Sequence, residues 1–315
     1  MIKRLFNRND NIAILIAGIF SIIIGLGVAR FAFTGLIPAM LDDYLTIKFV
    51  GILASLNFAG YLSGSIFSIF VKDINFKVYL YRFGIFLAIS TTFILAYSDN
   101  NTLWMIGRVL AGFAGAMCLI VGTSIVMQKL TIKSKTKAMG IHFSGIGFSI
   151  LTTDLLARFV LSLNYTWRDS WAVLAVFAII LSLYSVYILS FDKEVKQNAV
   201  KVKFDISIFT PFVIVLIIAY FTEGVGFVVQ ATFLPDIINN LKGLEGYGSL
   251  TWTLVGVAGI PSCIIWMLLA HRFGSSNIII IALLLQAVGI LIPAFSSNIY
   301  LNLLSGVLYG GTFIG

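Results

Sequence analysis

Long apolar stretches alternate with short polar ones along almost the whole chain, and charged or turn-forming residues bound each stretch. A helix needs about 20 mainly apolar residues to cross the roughly 30 Å hydrocarbon core of a bilayer. The pattern predicts ten such helices, near residues 11–38, 48–70, 78–97, 102–127, 138–161, 169–190, 209–231, 248–270, 276–294 and 298–315. We therefore expect an all-α integral membrane protein.

The longest polar interruption, residues 191–204, follows the sixth predicted helix. It divides the chain into an N-terminal six-helix bundle over 1–190, a cytoplasmic linker over 191–208 and a partial C-terminal bundle over 209–315. The pattern thus predicts two helical bundles, the second with four helices.

Composition restricts the class of protein further. Hydrophobic residues make up 59% of the chain and charged residues only 11%, whereas soluble domains average roughly 25% charged residues, so a water-soluble fold is excluded. The basic residues responsible for the net charge of +8 are not aligned on one helix face, and no nucleic-acid partner is expected. Cys118 and Cys263 lie inside apolar runs without metal-ligand or CxxC spacing, so neither a metal nor a cofactor is predicted.

The distribution of lysine and arginine predicts the topology, because cytoplasmic loops are enriched in these residues. The N-terminus and the loops on its side carry 15 of the 21 basic residues. The opposite loops carry Lys48, Arg168 and Lys242, and the remaining three basic residues fall inside predicted helices. We expect a multi-pass protein of the cytoplasmic (inner) membrane with a cytoplasmic N-terminus.

An internal repeat relates the two halves, as in transporters built from parallel repeats. A shift of about 198 residues superimposes Gly27 on Gly224, Pro38 on Pro235, Gly60 on Gly259, and residues 107–112 on 305–310. Under this repeat the second half is expected to lack its last two helices, with the chain cut inside its tenth helix at Gly315. Such a cut leaves an alternative to a working carrier, namely a non-transporting or regulatory membrane remnant.

Two short strings resemble signatures of the major facilitator superfamily, whose members have two parallel six-helix halves. Residues 267–274 read MLLAHRFG, which resembles the loop signature G-x-L-A-D-R-x-G with two replacements. Arg108, Gly112 and Ala116 match the spacing R-x-x-x-G-x-x-x-A of the fourth helix. The resemblance implies two pseudo-symmetric bundles, here with the second incomplete, and a secondary transporter.

The loop signature also implies a gate. In this chain it would be formed by His271, Arg272 and Gly274, with His271 standing where the superfamily has aspartate. The corresponding loop of the first half, residues 71–75, has lost the signature, and the same gating contacts are not expected there.

A narrower resemblance is to the YbfB/YjiJ branch of that superfamily. It rests on six strings spread along both halves, namely GVARFAFT with LIPAM at 27–40, LNFAGYLSG at 56–64, GIHFSG at 140–145, YFTEGVGF at 220–227, ATFLP at 231–235 and VGVAGIPS at 255–262. The branch implies a carrier in the cytoplasmic membrane but no single substrate.

Arg30 and Arg108 are two of the three arginines inside predicted helices, where an ionisable group costs at least about 2.5 to 3.5 kcal/mol on insertion scales. Arg30 follows Gly25 and Gly27, which let the first helix bend or approach a neighbour closely; it could hold an anionic substrate or a carboxylate, or extend to the outer interface. Arg108 lies on one face with the small residues that follow it. In related antiporters the matching arginine is linked to proton transfer, and an interfacial position is the alternative.

Two carboxylates and a third arginine complete the charged set. Glu223 lies in the middle of the seventh helix without a cation within one turn, which is the setting a proton carrier needs. Static pairing with Arg30 or Arg108, and substrate contact, are the alternatives. Asp154 and Arg158 are four residues apart on one helix face, and we expect them to neutralise each other locally.

Uncharged residues near the family-like strings are cavity candidates: Asn57, Gln230, Phe33 and Tyr61. His142 and His271 are interpreted as ordinary interface residues at helix ends. No HExxH, GxSxG or phosphate-binding loop lies in a fitting context, so an enzyme is not expected. The predicted function is secondary active transport of a small organic solute by alternating access, coupled to protons, by a monomer in the bilayer.

Overall fold

The computed structural model describes residues 2–131, 135–191 and 208–313. Most of the predicted linker 191–208, its lysines, Lys133 and Gly315 lie outside these residues. In the described part, a helical turn at Ile2–Leu5 precedes ten long helices and no strand is present. The helices are α1 (Asn11–Leu41), α2 (Ile47–Phe70), α3 (Ile74–Tyr97), α4 (Asn101–Lys129), α5 (Lys135–Ser162), α6 (Trp167–Ile188), α7 (Pro211–Asn239), α8 (Gly248–Phe273), α9 (Ser275–Phe295) and α10 (Ile299–Phe313).

Nine of the helices in the described part of the chain, α1 to α9, are long and apolar enough to cross a membrane. This confirms the predicted all-α membrane fold. Because most connections between them are short, successive helices run in opposite directions. We call the end of the bundle where α1 begins the N-terminal face and the other end the opposite face.

Polar caps set the helix starts more exactly than the apolar runs do. Asp73 accepts a hydrogen bond from the N–H of Phe76 at 2.7 Å, so α3 begins at Ile74 rather than near 78. Thr166 and Asp169 form a reciprocal capping box at the start of α6. The apolar runs locate the membrane core of a helix, whereas the caps extend it into the interface.

The seventh helix differs most from its prediction, since it continues to Asn239 instead of ending near 231. Pro235 lies within the helix, and Leu234 and Ile238, four residues apart on one face, are fully buried. Burial of this apolar face stabilises the extra turns beyond the proline.

The first half packs around α1, which contacts α3, α4, α5 and α6. The second half meets the first along α5 and α8 and again where α7 lies against α1. Glycines allow the α5–α8 contact to be close: a side chain at Gly147 would overlap backbone atoms of Ile260, and one at Gly256 would overlap Leu151. The two halves therefore touch through smooth helix faces.

The internal repeat has a structural counterpart. A Cβ atom on Gly112 of α4 would overlap the carbonyl oxygen of Asn57 in α2, and one on Gly310 of α10 would overlap the carbonyl oxygen of Val255 in α8. Both glycines and both carbonyls differ in number by the shift of about 198 found in the sequence. The α2–α4 and α8–α10 pairs thus pack in the same way.

Candidate functional site

A segment of π-helix interrupts α1 and determines the position of its arginine. Residues Ile23–Phe31 form the widened turns, and a second such segment, Met117–Val121, interrupts α4. The two segments lie side by side and in close contact: a Cβ atom on Gly25 would overlap the Cβ atom of Cys118. Widened turns of this kind occur frequently at functional sites. The sequence showed the glycines but not the change of helix type.

Arg30 projects from the end of this segment into a group of aromatic rings. Its guanidinium carbon lies 4.4 Å from the ring centroid of Phe58, 5.3 Å from Phe31, 5.5 Å from Phe227 and 5.6 Å from Tyr61. These rings come from α1, α2 and α7, so both halves contribute. Among the described residues no carboxylate pairs with Arg30, and none accepts a hydrogen bond from it.

Arg108 is held differently. It is 2% exposed, and its Nη1 donates to the carbonyl oxygen of Ala29 at 3.0 Å and its Nε to that of Leu53 at 3.4 Å. Its guanidinium carbon lies 4.3 Å from the ring centroid of Phe33. Arg108 therefore ties α4 to the π-helical segment of α1 and to α2.

Both arginines line one small enclosure between α1, α2, α4 and α7. Its volume is about 10 Å³, and Phe33, Asn57 and Thr232 are among its other walls. A single water molecule needs about this much space. Asn57 donates from its side chain to the carbonyl oxygen of Arg108 at 3.1 Å, which joins α2 to α4. In this conformation the enclosure is too small for an organic solute.

Glu223 lies away from this enclosure, on the wall of a larger cavity. Its Oε1 accepts a hydrogen bond of 2.6 Å from the side-chain amide of Gln286 in α9. Within the described residues it forms no ion pair with Arg30, Arg108 or any other cation. The carboxyl group is half-buried and has one neutral hydrogen-bond partner.

The larger cavity has a volume of about 570 Å³ and lies between α5 and α7 to α10. Thr136 near the start of α5 and Ser275 at the start of α9 place its mouth at the N-terminal face. Glu223 is the only charged residue among its described walls, which otherwise combine aromatic, sulfur-containing and amide side chains, including Tyr220, Trp266, Met139, Met267 and Gln286.

The opposite face is closed by polar contacts between the two halves. Asp154 and Arg158 of α5 lie 3.3 Å apart, and Thr253 of α8 links to both: its hydroxyl donates to Asp154 at 2.6 Å and accepts from Arg158 at 2.7 Å. Nearby, the hydroxyl of Thr34 donates to the carbonyl oxygen of Ala231 at 2.5 Å. Sequence reasoning missed Thr253, because nothing in the sequence places it near a pair 99 residues away.

The remaining candidates lie apart from one another. Gln230 is buried and donates to the carbonyl oxygen of Ile290 at 3.1 Å, which ties α7 to α9. His271, Arg272 and Gly274 are exposed at the α8–α9 turn, where the φ angle of Gly274 is +86°. The interpretation of His142 as an interface residue is wrong, because its ring is fully buried and hydrogen-bonded to Thr123 at 2.9 Å.

Solved transporters share this fold. A crystal structure of a D-xylose-proton symporter superimposes with a TM-score of 0.64 and 12% identity, covering 96% of this chain and 79% of that one. The nucleoside transporter NupG gives 0.66 and 16%, with 98% and 79% covered. The xylose transporter XylE from E. coli, in a partially occluded inward-open conformation, gives 0.66 and 14%, with 96% and 83% covered. The protein is thus a multi-pass membrane protein with the fold of major facilitator superfamily transporters.

Within that class the chain belongs to the family described as Uncharacterised MFS-type transporter YbfB, which it matches over residues 22–315. This confirms the family resemblance seen in the sequence. A protein TsgA homolog from Buchnera aphidicola subsp. Baizongia pistaciae (strain Bp) is 24% identical over 161 residues, a region that spans 50% of this chain and 41% of that protein. The match thus covers less than half the length of that curated relative.

Proposed function

We propose that the protein is a proton-coupled secondary active transporter that moves a small organic solute across the cytoplasmic membrane by alternating access. The two moving bodies are residues 1–190 and 209–315, the N-terminal face is cytoplasmic, and the protein acts as a monomer. Membership of a transporter family and the D-xylose-proton symporter among its structural neighbours support transport and proton coupling.

The observation that carries the proposal is the asymmetry between the two faces. At the N-terminal face a cavity of about 570 Å³ is open to the side of Glu223. At the opposite face Thr253 bridges α5 and α8 and Thr34 bonds to α7. An arrangement open on one side and closed on the other is what alternating access requires of each of its end states. Rocking the halves would exchange the two sides.

Glu223 is the proposed proton carrier. Its carboxyl group is half-buried, hydrogen-bonded only to neutral Gln286 and free of a cationic partner in the described chain. Without a fixed counter-charge, no neighbouring cation holds the carboxyl group in its ionised form. Arg108 is the second coupling candidate, through its bond to the π-helical segment that carries Arg30.

The test uses the full chain reconstituted in liposomes with a pH-sensitive dye inside. Solutes are added with and without an imposed pH gradient, and proton movement is recorded for the wild type, Glu223→Gln and Glu245→Gln. Glu245 is an exposed carboxylate in the α7–α8 loop and serves as the matched control. We expect solute-driven proton movement in the wild type and the control, and none in Glu223→Gln, which still inserts. Normal proton movement in Glu223→Gln would overturn the proposed role.

A further inference from the structure

The enclosure around Arg30 and Arg108 contains two positive charges and no negative one. Both guanidinium groups line the same space of about 10 Å³, and its other described walls are uncharged. Every carboxylate in the described chain lies outside ion-pair distance of both arginines. Arg108 is buried and Arg30 is partly buried. A cation removed from water without a counter-charge is costly, so an anion that enters this space would be stabilised by both arginines.

The two arginines differ in how many of their N–H donors remain free to bind a ligand. Arg108 already donates to the carbonyl oxygens of Ala29 and Leu53, and it packs on Phe33. Arg30 donates to no described residue and keeps its planar set of N–H groups unused. A guanidinium binds a carboxylate through two parallel hydrogen bonds, which gives both strength and orientation. Arg30 is therefore the anchor, while Arg108 adds positive potential.

A second unused donor lies beside the first. The ring of Tyr61 is 5.6 Å from the guanidinium carbon of Arg30, and its hydroxyl group has no hydrogen-bond partner in the described chain. Phenol hydroxyl groups in a largely buried position normally find a partner. Arg30 of α1 and Tyr61 of α2 are therefore neighbouring side chains whose donors are not used within the described chain.

The surroundings of these donors are aromatic. The rings of Phe31, Phe58 and Phe227 lie within 5.5 Å of the guanidinium carbon, measured to their centroids. Phe227 is stacked on Tyr309 at 6.0 Å, which extends the aromatic wall into α10. Such walls favour a flat apolar body rather than a strongly hydrated one.

From these contacts we infer that the transported solute is an organic carboxylate with a planar apolar body, whose carboxylate binds Arg30 and Tyr61. The inference rests on the proposed function and names its substrate class. The enclosure as it stands holds no more than one water-sized group. The solute therefore enters when α7 moves away from α1 and α2, and its charge compensates the two arginines when the halves close again.

The test compares carboxylates with their uncharged amides on the purified full chain in detergent. The pairs are benzoate and benzamide, phenylacetate and phenylacetamide, nicotinate and nicotinamide, and indole-3-acetate and indole-3-acetamide, with inorganic phosphate as a separate arm. Melting temperatures identify binders, and calorimetric titration gives their Kd. The variants are Arg30→Gln, Arg30→Lys, Tyr61→Phe and, as the matched loss of one positive charge, Lys48→Gln on the exposed start of α2.

We expect at least one carboxylate to bind the wild type and Lys48→Gln more tightly than its amide does. Arg30→Gln should weaken that binding at least about tenfold, since it removes the charged partner of a desolvated pair. Tyr61→Phe should weaken it by roughly two- to tenfold, as expected for one hydrogen bond, and Arg30→Lys should fall between the wild type and Arg30→Gln.

Four results would overturn the inference: equal binding of carboxylates and amides, equal binding by the wild type and Arg30→Gln, a response to phosphate alone, or no binding of any compound in the panel. The proposed function is tested separately in liposomes. Arg30-dependent binding without transport would refute the proposed function and support the carboxylate site. Transport that is unaffected by Arg30→Gln would support the function and refute the site.

Discussion

Arg30 and Arg108 line the same enclosure, yet only Arg108 is hydrogen-bonded to the protein. Its two bonds reach backbone carbonyls of α1 and α2, whereas the guanidinium of Arg30 lies among aromatic rings and donates to no described residue. A charged side chain whose donors are used by backbone carbonyls stabilises the fold. One that is left charged and unbonded stabilises a ligand instead, often at a cost to the empty protein.

This difference predicts opposite effects on stability. Arg108→Gln should lower the free energy of unfolding by about 2–5 kcal/mol, because charged hydrogen bonds to two carbonyls are lost. Arg30→Gln should leave stability unchanged or raise it. Melting temperatures in detergent measure both variants side by side. An equal loss in the two would show that Arg30 is a structural residue and that the assignment of roles is mistaken.

The close approach of α4 to α2 predicts a sharp difference between two glycines of one helix. Gly112→Ala places a methyl group on the carbonyl oxygen of Asn57. Overpacking of this kind should lower the free energy of unfolding by about 1–3 kcal/mol. Gly107→Ala, whose new methyl group would lie 3.7 Å from Ile94, should be neutral or stabilising by up to about 1 kcal/mol. Thermal unfolding of both variants checks this; equal behaviour would contradict the packing described.

The Asp154–Arg158 pair at the opposite face predicts that a second substitution restores stability lost by the first. Asp154 is 1% exposed and Arg158 is one-third exposed, at 33%. Arg158→Gln leaves a buried carboxylate with Thr253 as its described donor and should destabilise the protein by about 1–3 kcal/mol, less than for a fully buried pair. Asp154→Asn in the same chain should restore part of that loss, since it removes the unpaired charge. Additive losses in the double variant would show that the pair is not coupled.

Asp10 predicts a pH-dependent contribution at the start of α1. The N–H of Ile12, at 2.9 Å, and then Arg4, at 3.0 Å, hold the pKa of Asp10 below its usual value of 3.8. A lowered folded-state pKa means that the stabilisation is present above the unfolded value and is lost as the pH falls through the folded one.

The variant Asp10→Asn isolates this charge, because asparagine keeps the helix cap. Its melting temperature should fall below that of the wild type at about pH 6 and approach it at about pH 3. In an Arg4→Gln background the difference at the higher pH should shrink. A difference that stays constant across this range would assign the effect to the cap geometry and not to the charge.

Much of the fold was readable from the chain. The apolar runs located the ten long helices of the described chain, because the bilayer requires a crossing to be long and apolar whatever its neighbours are. The internal repeat predicted the equivalence of Gly112 and Gly310. Each glycine packs against a backbone carbonyl, Gly112 against that of Asn57 in α2 and Gly310 against that of Val255 in α8. The predicted helix ends were less accurate. The end of α7 is an example, because the turns beyond Pro235 are stabilised by packing against other helices, which the sequence does not show.

The candidate site was readable only in part. The sequence by itself determined which residues carry charge inside the membrane and which family the chain resembles, since both follow from residue type and order. Only the tertiary structure decided that Arg30 faces aromatic rings while Arg108 is bonded to carbonyls, that Glu223 meets Gln286, and that Thr253 joins Asp154 to Arg158. These partners lie on different helices, and the packing of glycine-lined faces, not spacing along the chain, brings them within a few ångströms of one another.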